Sequence, residues 1–449
     1  MNYIDFKNSV MQYAAKSGLA EYELYYTESE DMSVETLKHE INSFNTNTNA
    51  GACFRCVYQD KMGFASTELF TEEEALRIVE AAIATAAVIE NDDKVYIHEA
   101  GDTYQSMEPV PTTEPASAQM IEAVLALESK IFAKDARVTD GSQVMAGFCR
   151  EKVALCNSKG LDLAYEYDYS QVGGMALIKE GEEMYDGFCI KTNDFTKFDL
   201  DQIAEDVVEE AVSLIGYESV DSGVYDIVLS NKMMAVFLST FSNVFSAEYA
   251  QKGLSLFAGK EGQEVASKLV TITDDPFHKD SFVHMPFDSE GVATYCKNVV
   301  ENGKLCTLLY NLSSAAKAGV ASTGNGRKAN YAASISAMPY NLYLEKGGAG
   351  TREDVFKAVG DGIYVTALNG IHAGANPVTG DFSLASEGFL IEGGEKKHVV
   401  KNFTISGNYY ELLKKITLVG DDLEFANPKF GCCYGAPTVM VKGISVAGK

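Results

Sequence analysis

Six histidines and nine cysteines limit the metal and nucleophile chemistry open to this chain of 449 residues. A helical zinc hydrolase site needs two imidazoles on one helix face and a carboxylate to activate water, most compactly HExxH. His98–Glu99 in YIHEAGDTYQ starts such a pattern, but Gly101 and Asp102 follow and no second His does, so coincidence is the better reading. His278 and His284 in TDDPFHKDSFVH stand near Asp274, Asp275 and Asp280, where a carboxylate–imidazole site is conceivable. Acidic loops holding a His or two are nevertheless commonplace in so acidic a chain. Cys432–Cys433 in KFGCCYGAPTV are adjacent on an extended segment, so their side chains cannot share a face and could supply one thiolate or ligand. Cys53 and Cys56 form a CxxC in a β-like stretch rather than at the helix N-terminus that activates redox thiols. No GxSxG elbow is present. STGNGRKAN (322–330) is Gly-rich and carries Arg327 and Lys328, but lacks the GK[ST] ending of a phosphate loop. A tight turn, or a backbone surface that takes a peptide, fits it better. Spacing alone therefore assembles no complete active site.

The scaffold that must position these residues is acidic and has room for two domains. With 64 acids against 37 bases, the formal net charge is −27 and no window is rich in Lys and Arg. That balance disfavours a protein that grips nucleic acid, which needs a basic face to displace phosphate counterions. No apolar run approaches the ~18–20 residues that span a bilayer. The N-terminus, MNYIDFKNSVMQYAAKSG, lacks the basic start and apolar centre of a signal peptide. A cytoplasmic location with free, reduced thiols is expected.

Hydrophobic periodicity reads as an α+β protein with a boundary near residue 220. Residues 1–220 form an N-terminal α/β domain: an amphipathic helix over 3–16, strands over 20–29 and 32–41, and a hairpin over 51–67. Two helices, one opening at 68 and one over 118–134, flank the Pro-bearing connector MEPVPTTEPAS. Period-two segments between 137 and 191 predict an antiparallel meander, closed by a helix over 200–214. Residues 221–449 read as a β-rich, barrel-like or strongly curved sheet with few helices. They open with FLSTFSNVFSAEYAQ (237–251), a helix-like stretch with no charge from Phe237 to Ala247. Short strands follow, including KLVTITDD, KLCTLLYNL, PYNLYLEKGG, GIYVTAL, GFLIEGGE, FTISG and PTVMVKG, interrupted by one helix over 409–416.

QKGLSLFAGKEGQEVASKLVTITDDP (251–276) resembles the TldD/TldE (PmbA) family. The likeness continues in register through PFDSEGVATYCKNVVENGKLCTLLYNLSSAAKAG (286–319), STGNGR (322–327), MPYNLYLEKGG (338–348) and GIHAGANPVTGDFSLASEGFLIEGGE (370–395). GACFRCVYQDKMGFAST, SGVYDIVLS and the ISGN…VGDDLEF…GAPTVMV tail extend it over nearly the whole chain. The resemblance implies one of two subunit kinds. The TldD kind carries HExxxH, which binds zinc with a later Cys, and its complex trims unfolded or extended peptides. The TldE/PmbA kind shares the fold without those ligands and pairs with TldD. Counting back from Lys252–Gly253 puts the HExxxH window at Leu238–Asn243. Leu238 and Asn243 then take the His positions and Ser239 the Glu position, while Cys432 falls near the family's ligand Cys. Leu offers no lone pair, and no His lies between His98 and His278 to rescue the motif by slippage.

The resemblance thus implies a TldE/PmbA-like subunit with no catalytic residue, metal or cofactor of its own. Zinc is expected in a TldD-like partner, and this chain would help enclose a chamber where an extended peptide adds as a strand. Residues expected near that chamber or the subunit contact are Lys252, Gly253, Ser255, Gly324, Asn325, Arg327, Asn376, Gly380 and Phe382. A purely structural role is equally open for each: positive φ for the glycines, turns for Asn376 and Asp381. The alternatives are a homodimeric peptidase with an unrecognised site, such as His278/His284, and a non-catalytic peptide-binding scaffold. The gyrase-modulator label attached to the family would act through protein turnover rather than DNA contact.

Overall fold

In a computed structural model that describes residues 1–90, 94–106, 112–428 and 431–449, the first half is one six-stranded antiparallel sheet. Its strands are β1 (Glu21–Leu37), β2 (Glu40–Tyr58), β3 (Lys61–Thr67), β4 (Gln143–Asn157), β5 (Asp162–Glu180) and β6 (Glu183–Asn193), in the order β3-β2-β1-β4-β5-β6. The sequence reads two strands where β1 is continuous. Its acidic middle stays extended because the acids meet cations across the ladder: Lys152 Nζ lies 3.1 Å from Glu28, and Arg150 Nη1 lies 3.2 Å from Glu30.

Four helices cover one face of this sheet: α1 (Tyr3–Lys16), α2 (Glu72–Ala87), α3 (Ser117–Lys134) and α4 (Leu200–Ser213). Asn2, Thr71 and Asp199 cap α1, α2 and α4 by accepting from the first-turn N–H groups. Period-two alternation then sorts β1. Leu24 and Tyr26 pack with Phe54 under α1 and α2, and Val34 packs with Val144 and Val172 under α3 and α4. The opposite face carries Tyr25, Thr27, Ser29, Glu151, Tyr165 and Tyr167, and looks toward the second half of the chain. Part of the expected Pro-bearing connector lies outside the described residues.

The second half opens with β7 (Gly223–Leu229), α5 (Asn231–Phe241) and α6 (Ala247–Gln251). Next come β8 (Ile272–Asp274), β9 (Lys297–Glu301), β10 (Lys304–Leu305), α7 (Leu312–Ala318), β11 (Gly326–Arg327), β12 (Ser336–Ala337), β13 (Asn341–Leu344) and α8 (Arg352–Val359). The long strands β14 (Gly362–Asn369), β15 (Asp381–Glu392) and β16 (Glu395–Asn408) follow, with α9 (Ile371–Gly374) before β15. The tail holds α10 (Tyr409–Lys414), β17 (Ile416–Val419), β18 (Glu424–Phe425), β19 (Cys433–Ala436) and β20 (Val439–Ala447). Because β16 pairs with both β15 and β20, the strands β16, β15, β14, β7 and β20 close into a five-stranded barrel. Register shifts in three of its ladders supply the curvature. A second sheet, β10-β9-β8-β13-β19-β18, stands beside it, and α5 packs on β19.

Three expectations need correction. Residues 237–251 are not one helix: α5 ends at Phe241, a 3₁₀ turn spans Ser242–Phe245, and α6 restarts at Ala247. Ser242 Oγ donates back to Ser239 O at 3.0 Å, the local bonding by which Ser competes with helix propagation. KLCTLLYNL is strand only at β10, and α8 and α9 interrupt the strands unannounced, although Thr351 and Asp354 form a capping box at α8. Among the described residues, no helix is long and apolar enough to cross a membrane.

Sheet and helix approach closely at Gly187 on β6, where a Cβ would meet Val207 O at 2.2 Å and Ala211 N at 2.5 Å, both backbone atoms of α4. Gly187→Ala is therefore expected to cost ~1–3 kcal/mol, read as a lower urea midpoint with unchanged slope. Wild-type stability in that variant would contradict the close approach.

Candidate functional site

In the window that the resemblance assigns to zinc ligands, Leu238 is a core residue while Ser239 and Asn243 are half-buried. Ser230 caps α5 by accepting from Met233 N at 3.2 Å, which orients the helix over β19. Leu238 is fully buried in the principal apolar cluster with Phe237 and Phe241. Phe237 meets Phe382 edge-on at 5.0 Å, and Phe241 stacks on Tyr409 at 4.5 Å. Asn243 lies past the helix end in the 3₁₀ turn, so Leu238 and Asn243 do not sit on one continuous α-helix. Tyr434 of β19 donates to Ser242 Oγ at 3.3 Å.

Cys432, one residue before β19, is buried, and its sulfur already has partners. Arg327 Nη1 donates to Cys432 Sγ at 2.9 Å and to Pro339 O at 2.7 Å, and the Cys432 thiol donates to Pro339 O at 3.2 Å. The Arg327 guanidinium also lies 4.8 Å from the Tyr340 ring centroid. These residues do not fit a zinc ion: Leu238 has no donor atom, Ser239 is no carboxylate, and the one thiol faces a cation. Among the described residues, no group of three or more His, Cys, Asp and Glu is arranged to hold a metal.

The other histidine candidates do not converge. His284 Nε2 lies 3.1 Å from the His278 carbonyl, and His278 Nδ1 accepts from Asp280 N at 3.2 Å. The His278 ring packs on Tyr343 and Phe425, and this burial holds its pKa below the usual range. Asp274 turns away from both, accepting from Tyr340 N at 2.7 Å, Asn325 Nδ2 at 2.8 Å and Lys297 Nζ at 3.3 Å. His98 pairs with Asp102 at 2.9 Å. All nine cysteines are free, and Cys53 and Cys56 are buried in β2.

The nine residues expected at a chamber or contact fall into three places. Lys252 and Gly253 are exposed at the end of α6, while Ser255 Oγ donates to Val244 O at 2.6 Å and anchors the following turn. Gly324, Asn325 and Arg327 form a buried loop pinned to Asp274 and Cys432. Asn376 accepts from Val378 N and Thr379 N in the turn before β15, Gly380 has φ +82° against the Tyr410 ring, and Phe382 enters the barrel core.

Sequence reasoning missed a cavity of about 540 Å³ between the sheet face and the second half. Tyr25, Glu151, Tyr165 and Tyr167 line it on the sheet side, with Asp288, Ser289, Arg327, Lys328 and Tyr340 opposite. Burial first, then the Asp31 charge, push the Glu151 carboxyl up to about 7. Asp288 accepts from Glu290 N, Val292 N and Gly326 N at 2.9, 3.0 and 2.8 Å, while burial and neighbouring Glu290 raise its pKa strongly. Below it Arg55 ties the halves together, donating to Glu23 at 2.5 Å with Glu290 at 3.7 Å. The period-two tyrosines of LAYEYDY were the available signal.

Three domain profiles match the chain: PmbA/TldA metallopeptidase domain 1 over residues 22–86, the central domain over 111–215 and the C-terminal domain over 222–448. A Haemophilus influenzae metalloprotease PmbA homolog is 27% identical over 427 residues, covering 92% of this chain and 90% of the relative. The crystal structure of a Thermotoga maritima protein named for modulation of a DNA gyrase superposes with a TM-score of 0.90 at 30% identity, covering 99% of this chain and all of that one. TldE from Thermococcus kodakarensis shares the fold, with a TM-score of 0.89 at 24% identity over 98% of this chain and 99% of its own.

Two outcomes test this geometry. Arg327→Met strands a buried thiol and carbonyl and should cost ~3–5 kcal/mol in chemical denaturation, whereas a loss under ~1 kcal/mol would contradict the assigned partners. Because the folded-state pKa of Glu151 is raised, its penalty is absent below the unfolded value near 4.5 and grows as pH climbs to about 7. Glu151→Gln should therefore match the wild type at pH 4 and exceed its stability by ~2–3 kcal/mol at pH 8. A pH-independent difference between the two would refute the shift.

Proposed function

The chain belongs to the PmbA/TldD metallopeptidase family, and from that premise we propose that it is the TldE/PmbA-like subunit of a cytoplasmic metallopeptidase complex acting on unfolded or extended peptides. In this reading the chain holds no zinc and performs no hydrolysis. A TldD-like partner supplies the metal and the activated water, and this chain supplies walls of the chamber.

The observation that carries the reading is the content of α5 and its continuation. Where a zinc peptidase of this family needs two imidazoles and a carboxylate, this chain has Leu238 in the apolar core, Ser239 and Asn243. The Arg327 guanidinium on Cys432 argues the same way, since a cation 2.9 Å from the sulfur opposes a second cation there. Retaining the barrel and the second sheet without the ligands is what a structural partner requires. Exposed Lys252 and Gly253, and the Asn376–Gly380 turn, are the surfaces proposed for the partner or the peptide. The net charge of −27 favours peptide over nucleic acid, so any influence on gyrase runs through turnover of a protein substrate.

Cleavage of an unfolded peptide should be absent with the purified chain and appear when a TldD-like chain bearing HExxxH is added. Substituting the partner's motif should abolish that activity, while substituting Ser239 and Asn243 with Ala should leave it intact. Zinc-dependent cleavage by the isolated chain would overturn the assignment.

A further inference from the structure

The cavity between the two halves displays polar groups that the protein leaves unsatisfied. Glu151 sits mid-sheet on β4, paired in register with Ser29 on β1 and Tyr167 on β5, so it cannot swing to the sheet edge. Among the described residues, no hydrogen bond or ion pair reaches its carboxylate, nor the hydroxyls of Tyr165 and Tyr167. The two tyrosine rings lie nearly parallel, 6.4 Å apart with 16° between their planes. Neighbouring cations do not help. Arg150 points to the other face, where it engages Glu30, Glu114 and Asp168. Lys328 Nζ donates to Tyr331 O at 3.2 Å and Ala333 O at 2.6 Å, and Arg327 is committed to Pro339 O and Cys432. The cavity thus has an acidic, phenolic wall facing a wall of engaged cations.

A half-buried carboxylate with no partner in the protein is held at a cost that a cationic ligand would relieve. A perturbed acid in a cleft lined with aromatic rings has the chemistry that recognises an organic cation: charge pairing, hydrogen bonding and a π-face. The volume of about 540 Å³ suits a side chain with one or two flanking residues.

We propose that this cavity binds the primary ammonium group of an extended peptide, a lysine side chain or N-terminal amine, between the Glu151 carboxylate and the Tyr165 and Tyr167 phenols. Peptide carbonyl oxygens would then face the wall that carries Lys328. The inference goes beyond the subunit assignment and does not depend on it, because a zinc-bearing chain could hold the same cavity.

Calorimetric titration of the full chain in amine-free phosphate buffer at pH 8 tests it. The probes are a capped peptide with one lysine, the same peptide with acetyl-lysine, and butylamine. The wild type should bind the lysine peptide about tenfold tighter than the acetylated form and tighter than butylamine. Glu151→Gln should erase that preference while retaining the wild-type circular dichroism spectrum, and Tyr167→Phe should weaken it several-fold. Equal affinity of the wild type for both peptides, or a preference that survives Glu151→Gln, would overturn the proposal. Butylamine binding as tightly as the lysine peptide would overturn its peptide component. The titration reads the isolated chain and the cleavage assay reads a mixture, so either reading can fail alone.

Discussion

A guanidinium held out of water fixes the centre of the second half. Buried charge survives only where nearly every donor finds a partner, and Arg327 meets this by reaching Pro339 O, Cys432 Sγ and the face of Tyr340. Those contacts bring β11, the entry to β13 and the entry to β19 to one point. Asn325, two residues earlier, extends the knot through Asp274 to Lys297, which ties in β8 and β9. The parallel pairing of β13 with β19 follows from this convergence, and β19 is the strand on which α5 rests.

From that constraint the character of α5 follows. The helix has a fixed platform on one side and the barrel strands on the other, so its inward residues must fill apolar volume. Phe237, Leu238 and Phe241 do so, through Phe382 and Tyr409. A position filled this way supports the fold and offers no donor to a metal. The thiol that would complete such a site is instead a partner of the buried guanidinium. The sheet of the first half meets this assembly through a second charged knot, Glu23, Arg55 and Glu290, and the cavity opens beside it.

Much of the fold was legible because its signals are local. The helix expected over 3–16 is Tyr3–Lys16, and the meander expected between 137 and 191 is β4 to β6. The expected curved sheet is a closed barrel, since β16 borders both β15 and β20. Failures arose where tertiary contacts override local pattern. The acids of β1 looked like a break and are instead cross-strand partners of Lys152 and Arg150. The uncharged stretch after Phe237 looked like one helix, but Ser242 turns back to bond Ser239 O. Of the candidate site, the sequence shows only that no His lies between His98 and His278. The site's positive features were not legible. The Arg327–Cys432 contact spans 105 positions, and the cavity gathers Tyr25, Glu151, Tyr165 and Lys328 from elements whose adjacency only the folded chain reveals.

The most direct test of the central proposal, that this chain holds no zinc of its own, is zinc binding by the isolated chain. Equilibrium dialysis against micromolar zinc followed by elemental analysis of the retained protein reads it without reference to activity. The account predicts no stoichiometric zinc, and no change in what little is retained when Cys432 is replaced by Ser. One zinc per chain, lost in Cys432→Ser, would contradict it.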